Sequence, residues 1–377
     1  MTSRVERLLV RGVNWLGDAV MTTPALLRLR ERFPDAHITL LTLEKLRELW
    51  LHHPAVNEII SISADEGVVS TSHKLRVGHF DIALVLPNSL RTALEVWLAG
   101  IPQRTGCAGN GRSWLLTQPI KPRPNHVKMR KHTPAEIKRL VNSPAADTQH
   151  ATRNTQPVTV HHLHQYLHLT TALGANPALI APQVFITPEE IASARNKFGL
   201  NEMGQSVFGL NPGAEYGPAK RWPRERFIAA ARDLQQRTNC RWLIFGGKAD
   251  APLATEIESA LRTPDSALHN LAGKTSLREL MALLKICRVL LTNDSGPMHI
   301  AAALGTPVVV PFGSTSPEMT GPGRPGDAQH RLLKTNVPCS PCFLRECPID
   351  FRCMNGISVD QVVEAAIRAS SISPKEN

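Results

Sequence analysis

Two stretches of this chain hold residues whose types and spacing suit phosphate chemistry. Residues 290–315, LLTNDSGPMHIAAALGTPVVVPFGST, read as strand, polar turn, small-residue helix, Gly turn, second strand and polar loop. The turn is Asn293-Asp294-Ser295-Gly296-Pro297. In a parallel α/β sheet, ligands bind outside the carboxyl ends of the strands. A helix starting there offers free N–H groups and a positive dipole end to an anion. Gly296 lets the backbone approach closely. Asp294 or Ser295 can cap the helix, and His299 falls in its first turn, facing the same site. The same residues also read as ordinary turn and cap chemistry.

The second stretch is residues 207–227, VFGLNPGAEYGPAKRWPRERF. A short apolar strand leads into a segment with two Gly and three Pro over residues 212–223, a fixed loop rather than a helix. Gly213, Glu215 and Tyr216 lie in it, and Lys220 and Arg221 put two cations at its end. Cations on a rigid loop at the head of a strand suit a diphosphate; a solvated basic pair is the bland alternative. A helix is expected from about Arg224.

A third cluster is sulfur-rich. Cys339, Cys342, Cys347 and Cys353 fall within fifteen residues, CSPCFLRECPIDFRC. They read either as a structural zinc tetrahedron or as a loop of reduced thiols with at most one labile disulfide. No base or acid accompanies them, so the expected role is structural. His161, His162, His164 and His168 are better read as part of a helix leading to Leu173-Gly174 than as metal ligands.

Elements that would position these residues alternate along the chain. A strand over residues 8–11 precedes a loop over 12–18 and a helix over 19–32. Strands follow at 38–41, 80–86, 207–210, 242–245, 289–291 and 308–310, and a closing helix over 358–371. This alternation predicts doubly wound parallel sheets. Residues 121–160 differ: polar, basic and dotted with Pro, they read as a partly disordered excursion with a short helix near 134–141.

The 377 residues suffice for two domains, and the net charge is +11. Aromatics are few and no nucleic-acid motif is found, so nucleic acid is discounted. No apolar run reaches membrane-spanning length. The N-terminus lacks an apolar leader and reads as the first buried strand, so a cytoplasmic protein is expected. A dehydrogenase is disfavoured because no G-x-G-x-x-G follows the first strand.

Three motifs resemble the heptosyltransferases of lipopolysaccharide core synthesis, in glycosyltransferase family 9. They are Asp294-Ser295-Gly296-Pro297-Met298-His299, Lys220-Arg221-Trp222-Pro223, and Gly17-Asp18 within RGVNWLGDAVMTTPAL. The run over 212–223 is most similar to members that add the second heptose. Members adding another heptose, or a related core transferase, stay open as alternatives. The resemblance implies a GT-B α/β architecture of two Rossmann-like domains facing across a cleft. Residues 1–181 would bind the acceptor and 182–357 the nucleotide-sugar, with 358–377 a closing helix and tail.

It further implies ADP-heptose as donor and a phosphorylated lipid A-core acceptor at the inner-membrane surface. Asp18 would be the general base and Lys220 would neutralise the leaving ADP, in an inverting single displacement that needs no cofactor or catalytic metal. Capping of a helix at Ala19 is the competing reading of Asp18. Gly213, Glu215, Tyr216, Thr275, Asp294, Ser295, Gly296 and His299 would line the donor site, and Asn14, Arg91 and Arg112 the acceptor side. Glu215 and Tyr216 stand where other members carry hydroxyl residues, and Lys248 where some carry an acid. A nucleotide-sugar epimerase of similar architecture and a non-catalytic ADP-sugar-binding protein are the readings from other classes.

Overall fold

The computed structural model describes residues 5–124, 126–142, 160–200, 206–262 and 268–371. Of the excursion expected over 121–160, residues 125 and 143–159 lie outside the described residues. Strands and helices alternate as β1 Arg7–Arg11, α1 Leu16–Arg32, β2 His37–Leu43, β3 Glu58–Ile62, α2 Val68–Arg76, β4 Ile82–Val85, α3 Leu90–Leu98, β5 Gln103–Cys107 and β6 Gln118–Ile120. Then come α4 Pro134–Asn142, α5 His162–Thr171, α6 Pro188–Lys197, β7 Val207–Asn211, α7 Arg224–Thr238, β8 Arg241–Ile244, α8 Ala251–Leu261 and β9 Leu268–Asn270. The chain continues through α9 Leu277–Ile286, β10 Val289–Thr292, α10 Gly296–Ala303, β11 Val308–Phe312, β12 Arg331–Lys334 and α11 Val359–Ser370.

Two compact units result, one from residues 1–126 and 162–185, the other from 127–161 and 186–377. Each holds a six-stranded sheet, ordered β3-β2-β1-β4-β5-β6 and β12-β11-β10-β7-β8-β9, with parallel pairing throughout. Counting β7 as the first strand of its unit, the two orders are the same doubly wound pattern. The strand order therefore reverses between β1 and β4 in one unit and between β7 and β10 in the other. Ligands of open α/β sheets bind at that reversal.

The central strands are apolar because helices cover both faces; β7, β10 and β11 are buried along their whole length. Phe208, Leu210, Trp222, Phe227, Trp242 and Ile244 are among the core residues of the second unit. Helix α11 packs into that same core through Val362, Val363, Ala366 and Ala369, so it is part of the second unit rather than a separate closing segment.

A second difference from the sequence expectation concerns residues 127–142. They belong with the second unit because Ile137 of α4 packs on Cys339 and Cys342, and the His132 amide donates to the Cys342 carbonyl at 3.0 Å. Among the described residues no helix is long and apolar enough to cross a membrane.

Where β1 ends, Arg11 Nε meets Glu95 Oε2 of α3 at 2.8 Å, and the two side chains are 3% and 0% exposed. Arg11 Nη1 also donates to the Gly12 carbonyl at 2.7 Å and to Asn14 Oδ1 at 3.4 Å. The pair thus ties the loop after β1 to the helix after β4. Removing one member of a buried pair strands the other charge, at about 3–5 kcal/mol. Glu95→Ala is expected to lower the thermal midpoint by roughly 6 °C or more; Arg11→Met with Glu95→Leu should recover part of the loss, both read by calorimetry.

Candidate functional site

In the second unit the loops after β7 and β10 are adjacent, as their register requires: Thr292 pairs with Asn211 at the strand ends. Asn293 braces them. Its Oδ1 accepts the Trp222 amide at 2.9 Å and its Nδ2 donates to the Pro212 carbonyl at 2.7 Å. Trp222 is 2% exposed. Its ring meets Phe227 edge-on at 5.1 Å, and its Nε1 donates to the Ile357 carbonyl at 3.1 Å. The residue two positions before a buried, hydrogen-bonded Trp has little freedom, and that residue is Lys220.

Lys220 Nζ lies 2.7 Å from Asp294 Oδ2. The Thr315 hydroxyl donates to the same oxygen at 2.6 Å. Lys220 also stands over the Tyr216 ring, 4.8 Å from its centroid, and Arg345 lies 5.4 Å from the same centroid. The Tyr216 hydroxyl donates to the Phe343 carbonyl at 2.7 Å. Burial is the main influence raising its pKa, opposed by the charge of Arg345. Two cations therefore flank one ring beside a single buried carboxylate.

Ser295 is the N-cap of α10, but its side chain makes no cap bond. Its hydroxyl is instead taken by Asn211 Nδ2 at 3.2 Å and Thr292 Oγ1 at 3.2 Å. Neither Asp294 nor Ser295 thus caps the helix in the way the sequence suggests, because stronger partners compete for both. The start of α10 at Gly296 is left without a side-chain cap, which suits an anion. His299 is buried within α10.

Gly213 and Gly217 are required by close approach. A Cβ on Gly213 would lie 2.4 Å from Cγ of Asp250, and one on Gly217 would lie 2.5 Å from the Arg345 carbonyl. Asp250 Oδ2 accepts the Gly247 amide at 3.0 Å. Glu215 and Lys248 are exposed, and Thr275 is half-buried in the turn before α9. That turn contacts the Gly246–Asp250 loop through the Gly273 amide, which donates to the Gly246 carbonyl at 2.9 Å.

In the first unit, α1 starts at Leu16 with Trp15 as N-cap. Asp18 therefore sits inside the first turn and does not cap a helix at Ala19. The Tyr166 hydroxyl of α5 hydrogen-bonds the Asp18 carboxylate; burial first, then the Asp18 charge, pushes the phenol well above its ordinary pKa. Tyr166 thus stays a proton donor to that carboxylate. Asn14 is exposed and held by Arg11. Arg91, in the first turn of α3, pairs with Glu95 Oε1 at 3.2 Å and is 44% exposed. Arg112 differs from the sequence expectation. It is fully buried, donating to the carbonyls of Cys107, Pro87 and Ser89, so it supports the loop after β4 from within.

The four clustered cysteines are free thiols. Burial raises the pKa of Cys339 and Cys342, and that of Cys353 to about 12. Among the described residues no three His, Cys, Asp or Glu side chains are placed to hold a metal ion. The cysteine spacing that suits a zinc tetrahedron is thus not accompanied by a metal-holding arrangement among the described residues. Instead the cysteine loop backs the Lys220 loop: the Ala219 amide donates to the Arg345 carbonyl at 2.9 Å.

Sequence reasoning missed Tyr166, Arg345, Thr315, Asp250 and the bracing role of Asn293. One signal was available. The chain has only two tyrosines, and one contacts Asp18 while the other contacts Lys220.

Two doubly wound units, each presenting polar groups at its strand-order reversal, define a glycosyltransferase of the GT-B class. The model of glycosyltransferase family 9 (heptosyltransferase) matches residues 68–351, and the chain belongs to that family. It is 32% identical over 325 residues to lipopolysaccharide heptosyltransferase 2 of Escherichia coli strain K12, covering 84% of this chain and 85% of that protein. Its fold matches the solved E. coli ADP-heptose LPS heptosyltransferase II with a TM-score of 0.75, at 29% identity over 97% of this chain and 98% of that one. It also matches a family 9 glycosyl transferase from Veillonella parvula, with a TM-score of 0.78, 24% identity and 99% coverage of both chains.

Gly217 has φ +148° as well as the carbonyl contact. Gly217→Ala is expected to destabilise the second unit by about 1–3 kcal/mol. Gly67→Ala, at φ −68° with nothing within 4 Å of the added Cβ, should change stability by less than about 0.5 kcal/mol. Urea unfolding of the two variants checks both.

Proposed function

We propose that this chain transfers L-glycero-D-manno-heptose from ADP-heptose to the inner core of lipopolysaccharide, adding the second heptose. The observation that carries the proposal is Lys220, pinned at the reversal between β7 and β10 by Trp222, Asn293 and Asp294. The names of the relatives support the substrates. The donor diphosphate would lie against Lys220 and the uncapped start of α10. Asp250, Thr275 and Gly213 would lie towards the nucleoside, and Glu215 and Tyr216 beside the phosphates or the heptose.

In the reaction the acceptor hydroxyl oxygen attacks the anomeric carbon, and the carbon–oxygen bond to the diphosphate breaks. The bonding pair leaves with ADP, whose growing charge Lys220 offsets. A fixed cation is worth most where charge develops in the transition state. The hydroxyl proton goes to the Asp18 carboxylate, which Tyr166 orients through its hydrogen bond. One base and one leaving-group stabiliser suffice for a single inverting displacement. Lys220 supplies the positive charge at the phosphates, so turnover is expected to survive a chelator. Asn14 and Arg91 lie on the acceptor side, and the enzyme would work at the cytoplasmic face of the inner membrane, where a phosphorylated lipid acceptor resides.

The test is heptose transfer to purified core acceptors bearing no heptose or one. Transfer to the mono-heptosylated acceptor is expected, with Asp18→Asn reducing kcat by about 10²–10⁴-fold and Lys220→Ala by about 10²–10³-fold. Transfer to the bare acceptor alone would overturn the second-heptose assignment. Full activity in Asp18→Asn would remove it as the base.

Tyr166→Phe removes a donor that favours the ionised carboxylate. A base works deprotonated, so kcat/KM rises with pH through its titration, and that rise is expected at higher pH in Tyr166→Phe. An unmoved pH–rate profile would limit Tyr166 to packing.

A further inference from the structure

The four-cysteine loop has no part in the chemistry proposed above, yet it is built against the loop that carries Lys220. Three contacts fasten the two. The Tyr216 hydroxyl donates to the Phe343 carbonyl at 2.7 Å, and the Ala219 amide donates to the Arg345 carbonyl at 2.9 Å. Between them Gly217 lies so close that an added Cβ would come within 3.1 Å of the Arg345 Cβ. These contacts fix where the Arg345 side chain begins. Its guanidinium stands 5.4 Å from the centroid of the Tyr216 ring, which also has the Lys220 ammonium at 4.8 Å.

Charge sets Arg345 apart from the cations around it. Lys220 has Asp294 at 2.7 Å, Arg221 has Asp250 at 3.9 Å and Arg352 has Asp350 at 2.9 Å. Arg345 is exposed and, among the described residues, forms no ion pair. A guanidinium is always charged and offers a planar fork to a phosphate. Its contact with an aromatic ring restrains it without neutralising it. A terminal phosphate carries about 1.5–2 negative charges at pH 7, more than one lysine offsets. Position along the loop adds to this. The loop meets Asp250 at Gly213 and Arg345 at Gly217, so the two mark different stretches of it. With the nucleoside towards Asp250, Arg345 stands at the stretch nearer the far phosphate.

We propose that the four-cysteine loop is an element of the donor site, and that its Arg345 side chain is a second cation for the diphosphate, meeting the phosphate farther from the nucleoside. This rests on the nucleotide-sugar reading above. Its test therefore reads nucleotide binding without acceptor, and heptose transfer is measured separately.

Full-length protein is titrated with ADP and with AMP by calorimetry, in the presence of EDTA. The wild type is expected to bind ADP the more tightly. Arg345→Gln keeps the carbonyl that holds Ala219, and should weaken ADP about tenfold or more while changing AMP less than about twofold. Arg345→Lys should recover part of the loss, as a point charge without the fork. Both variants should keep the wild-type melting temperature. Arg237→Gln, which removes the same charge at the far end of α7, should bind both nucleotides as the wild type does. If Arg345→Gln weakens ADP and AMP equally, Arg345 only packs the loop; if it weakens neither, Arg345 is outside the site. Either result overturns the proposal. A wild type indifferent between ADP and AMP would overturn it together with the donor reading. An ADP preference that Arg345→Gln abolishes, in a protein that transfers no heptose, would uphold it and overturn the function proposed above.

Discussion

The site in the second unit depends on one side-chain amide. Asn293 spends its oxygen on the Trp222 amide and its nitrogen on the Pro212 carbonyl, and so bridges the two ends of the loop after β7 to the turn after β10. A loop with three prolines over residues 212–223 has lost three backbone donors, and its own regular structure is a single tight helical turn over Pro218–Lys220. It must borrow hydrogen bonds from neighbours. Asn293 supplies both kinds, donor and acceptor, at one point. The buried Trp222 ring then converts a polar brace into a rigid one, because any shift of the loop would open the contact with Phe227 and release Nε1 from Ile357.

Much of this was legible in the sequence. The central strands β1, β2, β4, β7, β8, β10 and β11 are apolar runs, and each is named by its sequence. The edge strands β3, β6, β9 and β12 are not. They are half-exposed along most of their length, so they carry residues such as the Gln118-Pro119-Ile120 of β6, which no apolar pattern marks. β5, with its Arg104, Thr105 and Gly106, escapes for the same lack of apolar pattern. Motif residues were found where a short segment holds the whole arrangement, as in Asp294-Ser295-Gly296. Partners distant in sequence were invisible: Tyr166 is 148 positions from Asp18, and Arg345 reaches Tyr216 only because the cysteine loop folds back. Arg112 shows the converse error. An arginine beside a candidate loop looks like a ligand contact until its burial reveals that it holds backbone carbonyls.

The cysteine loop gives the same lesson about clusters. Four thiols within fifteen residues suggest a metal, yet here burial first, and then the neighbouring thiols, raise the pKa of three of them. A thiol held above its ordinary pKa is a small apolar group, and Cys339 and Cys342 behave so, packing under Ile137. Besides the Arg345 side chain, what the loop contributes to the site is backbone: carbonyls of Phe343 and Arg345 that hold Tyr216 and Ala219.

Two ion pairs at the strand-order reversals differ in a way that fits their tasks. Arg11 and Glu95 are almost wholly shut from solvent, and each has further polar partners, so the pair acts as a strut that nothing can enter. Lys220 is 15% exposed and its partner Asp294 only 4%. The accessible member is the cation, and the carboxylate retains the Thr315 hydroxyl if the cation turns away. In the proposed reaction Lys220 would turn from Asp294 towards the diphosphate, and the carboxylate would keep the Thr315 hydroxyl as a partner, which lessens the cost of parting a buried pair. The arrangement holds the lysine extended beside its carboxylate, with the cation as the more accessible member of the pair.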